Sequence, residues 1–218
     1  MVFQFITFTA GSYLLGSIPF GKLIAKRVAR VDITQLGSGN LGATNVAREI
    51  GLRWGLLTLL LDMLKGLIPV VVFTYYASGS CPDFNIFLSA IGLSALFGHQ
   101  FSIFQGFRGG KGVSTTLGIF LGISPLSCLF MLVLFVLVVY RWRYISLGSI
   151  ISACAMPLFL ALFSETLPVI ITSVIMATLI CYRHKQNIHR LINAQERKWG
   201  DKDDQARSSS SLSNSSSE

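Results

Sequence analysis

Three polar segments hold residues whose types and spacing could do chemistry. The first reads Gly37-Ser38-Gly39-Asn40-Leu41-Gly42-Ala43-Thr44-Asn45-Val46-Ala47-Arg48. Closely spaced glycines allow backbone N–H groups to converge on one point, and consecutive N–H groups form anion-binding concavities. Ser38, Asn40, Thr44 and Asn45 add side-chain donors, and Arg48 adds a planar cationic fork suited to phosphate. The second runs from Gly98-His99-Gln100 to Gly106-Phe107-Arg108-Gly109-Gly110-Lys111-Gly112-Val113-Ser114-Thr115. Glycines, a lysine and then a helix start are the parts of a phosphate cradle. It is not an ATP-binding loop of the G-x-x-x-x-G-K-[ST] kind, because Gln105 stands five residues before Gly110 and Gly112 follows Lys111. The third is Arg183-His184-Lys185-Gln186-Asn187-Ile188-His189-Arg190-Leu191-Ile192, with Glu196 beyond. On a helix His184 and Asn187 share a face with Leu191.

Each segment has a plain alternative. The first could be a flexible linker, His99 a structural histidine, and the third a basic stretch lying on anionic headgroups. Asp62 and Lys65, three apart in an apolar run, are read first as an ion pair turned into a bundle, since ionisable groups at membrane depth are paired or functional. Ser146, after Arg141, Arg143 and Tyr144, could cap a helix or donate to an anion. The four cysteines Cys81, Cys128, Cys154 and Cys181 are scattered, so no metal site and no disulfide framework is expected.

The elements that must position these groups are membrane helices. Of 218 residues, 52% are hydrophobic and 13% charged, and mean hydropathy is +0.62. Apolar runs occur at about 3–26, 55–77, 85–98, 113–123, 125–140, 146–163 and 166–182. A span needs about 20 apolar residues. The chain therefore reads as an all-α polytopic helix bundle with about seven transmembrane helices, and five as the alternative because three runs are short. No Lys or Arg precedes Lys22, so the first run is a membrane helix and not a cleaved signal.

Lys and Arg collect in segments 27–53, 99–112, 141–145 and 183–218, which predicts an N-terminus outside and a C-terminus in the cytoplasm. The net charge of +8 is thus charge facing anionic lipid, and nucleic acid is not an expected partner. Residues 1–205 form the membrane domain. Residues 206–218, almost all serine, form an expected disordered cytoplasmic tail.

Taken together, the three segments resemble the bacterial acyl-phosphate–glycerol-3-phosphate acyltransferase family. Gly16-Ser17-Ile18-Pro19-Phe20-Gly21, Leu61-Asp62-Met63-Leu64-Lys65-Gly66 and Ser146-Leu147-Gly148-Ser149-Ile150 extend the likeness over roughly residues 11–200. The resemblance implies an enzyme of a bacterial inner membrane, with its active site facing the cytoplasm. Its implied substrates are glycerol 3-phosphate and acyl phosphate, its products lysophosphatidic acid and phosphate. It implies no cofactor, membrane lipid as surroundings, and the enzyme that makes acyl phosphate as a partner.

By the same resemblance Ser38, Arg48, His184 and Asn187 are required in the site. Gly109, Gly110 and Lys111 bind the substrate phosphate, with Ser146 beside them. Glu196 holds its region together, and Asn40, Asn45, Asp62 and Lys65 stand close by. Where the family usually has glycine, two residues before that glutamate, this chain has Ala194, which implies an altered local loop.

Acyl phosphate is already activated, so the protein's task would be to position two anions and stabilise charge on the acyl oxygen. No G-x-S-x-G elbow and no His–Asp pair separated by four residues is present. No acyl-enzyme is expected. Either His184 or the substrate's own phosphate could take the proton. A transporter of a phosphorylated metabolite would place its polar groups near the midplane. A CDP-alcohol phosphotransferase would need several aspartates on one helix, where this chain has Asp62 alone in its spans.

Overall fold

A computed structural model describes residues 2–77 and 83–200. Cys81 and the serine-rich tail from residue 206 lie outside the described residues. Ten α-helices follow one another among them: α1 (Val2–Gly16), α2 (Phe20–Val28), α3 (Ala43–Glu49), α4 (Leu52–Ala77), α5 (Phe84–Gln100), α6 (Val113–Ile123), α7 (Pro125–Trp142), α8 (Ile145–Leu162), α9 (Leu167–Arg183) and α10 (Lys185–Ile192). Short 3-10 turns stand at Ile33–Gln35 and Ile103–Gln105. The all-helical expectation holds.

Among the described residues four helices are long and apolar enough to cross a membrane, and a fifth is added if the α9–α10 pair, bent by 62°, is one span. The run at 3–26 is not one helix. Pro19 lacks an N–H and disfavours helical geometry at Ile18, so the chain breaks between α1 and α2. The break frees two carbonyls, and both find donors: Lys65 Nζ reaches Ile18 O at 2.9 Å, and Ser102 Oγ reaches Ser17 O at 2.6 Å. The short run at 113–123 is α6, of 11 residues, with α7 following at once.

Polar and apolar groups are distributed as a bilayer requires. Asp62, Lys65, His99, Gln100 and Thr115 are buried, while Leu56, Leu60, Val71, Leu129, Val136 and Leu158 are exposed. Small residues let the helices close up, as in membrane packing generally. At the α4–α6 contact a Cβ on Gly66 would come within 2.2 Å of Thr115 O, and one on Gly118 within 1.9 Å of Met63 O. Between α1 and α5, Ser12 Oγ donates to Ile91 O and Ser94 Oγ to Thr9 O, each at 2.8 Å. The buried core of Val70, Phe73, Ile91, Ile119, Phe120, Met156 and Met176 joins α4, α5, α6, α8 and α9. This frame fixes one end of the bundle, where the polar segments meet.

Candidate active site

The loop before α3 is ordered by its own side chains. Buried Asn45 accepts from the Ser38 N–H at 3.0 Å and donates to the carbonyls of Ile33, Leu36 and Asn40 at 3.0–3.3 Å. Asn40 Oδ1 accepts from the Gly42 N–H at 2.9 Å. Gly37 and Gly39 take positive φ within this turn. Asn40 and Asn45 therefore shape the loop that presents Ser38, and Arg48 follows on α3.

The second segment wraps around His99. Gly110 N–H donates to His99 O at 3.1 Å. A Cβ on Gly109 would stand 2.1 Å from His99 O, and one on Gly110 2.2 Å from His99 Nε2. Only glycine lets the loop lie so close. Arg183 donates to the carbonyls of Gly109 and Gly110, and Gln100 Nε2 to Lys111 O at 2.8 Å. Below this loop Asp62 Oδ1 lies 2.7 Å from Lys65 Nζ and 3.8 Å from His99 Nδ1, and His99 Nδ1 lies 3.1 Å from Thr115 Oγ1. The expected intrahelical ion pair is present, and it underpins both the loop and the α1–α2 break.

The third segment departs from a single helical face. His184 lies between α9 and α10, at the bend, and Asn187 in the first turn of α10. Both are buried. His184 Nδ1 is 2.8 Å from Ile180 O. A carbonyl only accepts, so Nδ1 carries the proton and the neutral ring keeps Nε2 as an acceptor. Asn187 accepts from Lys111 Nζ and donates to Glu196 Oε1 at 2.6 Å. Glu196 also accepts from Ser146 Oγ and Arg190 Nε, each at 2.7 Å. Ser146 does not cap α8, whose N-cap is Tyr144.

These segments enclose one cleft of about 310 Å³. Ser38, Asn40, Asn45, Arg48, Asp62, Lys111, Ser146, His184, Asn187 and Glu196 line it. Gly109, Gly110 and Lys65 do not; they stand behind the lining, with Lys65 and Gly110 on a smaller neighbouring hollow. Gly112, Val113 and Ser114 at the start of α6 take the lining position instead, where the first N–H groups of a helix lack intrahelical partners. Ser149, Arg190, Gln195 and Arg197 also line the cleft, though the sequence does not single them out as site residues. Two of these follow from helical spacing, Ser149 three residues after Ser146 and Arg190 three after Asn187. Leu59, Val113, Phe135 and Ile145 give the cleft an apolar wall.

The charges are tuned by crowding. Burial pushes the Lys111 ammonium down to about 8, and the cations Arg190, Arg48 and Arg183 push the same way against the pull of Glu196. Burial pushes the Glu196 carboxyl up, but hydrogen bonds from Ser146, Asn187 and Arg190 outweigh it and hold the group below its ordinary value. The cleft therefore offers a surplus of cationic and N–H donors to an anion. No cysteine lines it, and its histidines His99 and His184 bond Thr115 Oγ1 and Ile180 O, with no serine hydrogen-bonded to either among the described residues.

Comparison with known proteins agrees in extent. Residues 6–194 match the family described as glycerol-3-phosphate acyltransferase. A glycerol-3-phosphate acyltransferase of Geotalea daltonii is 49% identical over 191 residues, covering 88% of this chain and 95% of the relative. One of Aquifex aeolicus is 40% identical over 192 residues, covering 86% and 95%. The crystal structure of PlsY, an integral membrane glycerol 3-phosphate acyltransferase, superposes in its glycerol 3-phosphate form with a TM-score of 0.85 at 37% identity, covering 90% of this chain and 96% of that one. Its lysophosphatidic acid form superposes with a TM-score of 0.82 at 36% identity, with the same coverage.

Proposed function

The chain belongs to the glycerol-3-phosphate acyltransferase family, and from that membership we propose that it takes its acyl group from acyl phosphate, at the cytoplasmic face of a bacterial inner membrane. The 1-hydroxyl oxygen of glycerol 3-phosphate attacks the acyl carbonyl carbon. The bond from that carbon to the phosphate oxygen breaks, and lysophosphatidic acid and inorganic phosphate leave. One observation carries this reading. Arg48, Lys111, Arg190 and the start of α6 converge on a single cleft with an apolar wall and no hydrolase-type nucleophile. Such a site suits direct transfer between two phosphate-bearing molecules, one of them with a long tail.

In this reading Lys111, the α6 N–H groups and Arg48 take substrate phosphate, with Ser38 as a further donor. Gly109 and Gly110 act by letting the loop pack on His99, and Ser146 acts through Glu196. His184 Nε2 is the side-chain acceptor suited to the hydroxyl proton, and the departing phosphate is the other acceptor. The glycerol 3-phosphate and lysophosphatidic acid forms of the PlsY relative support the acceptor and the product. Seven spans, α1, α4, α5, α6, α7, α8 and α9, with the N-terminus outside, fit the collection of basic segments at the cleft end. The enzyme that makes acyl phosphate is the expected protein partner.

The test uses protein purified in detergent, glycerol 3-phosphate, and either palmitoyl phosphate or palmitoyl-CoA. Lysophosphatidic acid with equimolar phosphate release from palmitoyl phosphate is expected. Product from palmitoyl-CoA alone would overturn the donor assignment.

A further inference from the structure

Residues 193–200 form a strap that leaves α10 and runs along one side of the cleft. Within it Glu196 bonds Ser146, Asn187 and Arg190. Next, the carbonyls of Arg197 and Lys198 accept from Arg48 Nη2 at 3.3 and 3.5 Å, and the Arg48 guanidinium sits 6.0 Å from the centre of the Trp199 ring. The strap is then pinned outside the cleft, at the α7–α8 junction. Arg143 Nε and Nη2 both donate to Trp199 O, at 3.1 and 2.9 Å, and Trp199 N–H donates back to Arg143 O at 2.6 Å. Arg143 itself is in the left-handed region at φ 61°, closing α7 through its own N–H to Val139 O. Backbone and side chain of one residue are thus both turned onto Trp199. Arg143 is not among the residues that line the cleft.

We propose that Arg143 is a positioning residue for binding of glycerol 3-phosphate: by pinning Trp199 it holds the strap whose carbonyls orient Arg48. The proposal rests on the reading that Arg48 receives substrate phosphate. A guanidinium already ordered by two carbonyls and a ring meets the phosphate without first losing its rotamer freedom. With Arg143 removed, the substrate must order Arg48 itself. The cost falls on binding and not on the chemical step, so KM rises while kcat is nearly unchanged.

The experiment measures KM and kcat for glycerol 3-phosphate in the parent, Arg143→Ala, Arg143→Lys, Arg48→Lys and Arg48→Lys/Arg143→Ala. Limited proteolysis of residues 193–200 reports release of the strap. Arg143→Ala is expected to raise KM about tenfold, about 1.4 kcal/mol, and to open the strap to protease. Arg143→Lys should behave like the alanine variant, because one ammonium cannot reproduce a two-pronged contact. In the Arg48→Lys background, adding Arg143→Ala should change KM less than about twofold, as for residues acting through one another. A parental KM in Arg143→Lys, or an undiminished tenfold effect in the Arg48→Lys background, would overturn the proposal. A parental KM in Arg48→Lys would instead remove the reading of Arg48 on which the proposal rests.

Discussion

The loop before α3 and the strap after α10 border the same cleft and are ordered over different ranges of the chain. The loop is stapled locally: every partner of the Asn45 side chain lies within 12 residues of it. The strap has near partners in Asn187 and Arg190 but is also held from afar, by Ser146 and Arg143, 50 and 56 residues from their partners, and by Arg48, about 150 residues from its own. A locally closed loop can take its shape before the bundle is complete. The strap acquires its shape only when α3, the α7–α8 junction and α10 are all in place. The loop's hydrogen bonds are therefore local, and those of the strap tie together the whole end of the bundle.

That contrast can be broken first at Asn45. Asn45→Ala leaves the carbonyls of Ile33, Leu36 and Asn40 without a shared donor and Ser38 N–H without its acceptor. At about 1 kcal/mol for each lost bond, the loop should lose its fold, with activity down about a hundredfold or more and new proteolytic cleavage within 32–44. Cleavage unchanged from the parent would show that the loop does not depend on its own staple.

Glu196 offers the matching perturbation of the strap. Glu196→Ala strips acceptors from Ser146, Asn187 and Arg190 together, and activity should fall about tenfold to a hundredfold. Glu196→Gln keeps an acceptor and should lose several-fold less. Equal losses in the two would mean that the carboxylate's charge, and not its bonding, is what matters.

A smaller effect belongs to pH. With the Lys111 ammonium lowered to about 8 by burial and neighbouring cations, it carries its charge below that pH and loses it above. Thus kcat/KM for glycerol 3-phosphate should decline above pH about 8, toward about tenfold per unit, and Lys111→Arg should remove the decline. A flat profile to pH 9.5 would contradict this role for Lys111.

The smallest effect lies at the turn into the strap. Ala194 adopts φ 55°, a left-handed geometry that costs an L-residue about 1–2 kcal/mol. The family resemblance expects glycine near this turn, where the chain has alanine. The backbone keeps the glycine-like conformation, and the alanine bears the strain. Ala194→Gly should raise the Tm by roughly 2–4 °C, with activity unchanged. A lowered Tm would mean that the strain is absent or offset.

The same contrast explains how much was legible in advance. Hydropathy located the long helices, and the concentration of Asn, Ser and Gly marked the first loop, because both signals are local. The break at Pro19 was hidden by continuing apolarity, although proline supplied its cause. His184 and Asn187 were rightly brought together, but across a 62° bend and not along one helix. In the second segment glycines, Lys111 and a helix start together read as a cradle. Gly109 and Gly110 pack on His99 behind the lining, and Lys111 with the start of α6 lines the cleft. Arg143 and Arg197 read only as members of basic segments, and Gln195 carried no signal, because their roles depend on contacts spanning the chain.

The most direct test of the converging anion site is a calorimetric titration of glycerol 3-phosphate into the parent, Arg48→Ala, Lys111→Ala and the double variant in detergent, at pH 7. The two residues come from different segments and line one cleft. Each single variant should bind at least about tenfold more weakly, and the double should bind too weakly to measure. Parental affinity in both single variants, with helix content intact, would contradict a shared phosphate site in this cleft.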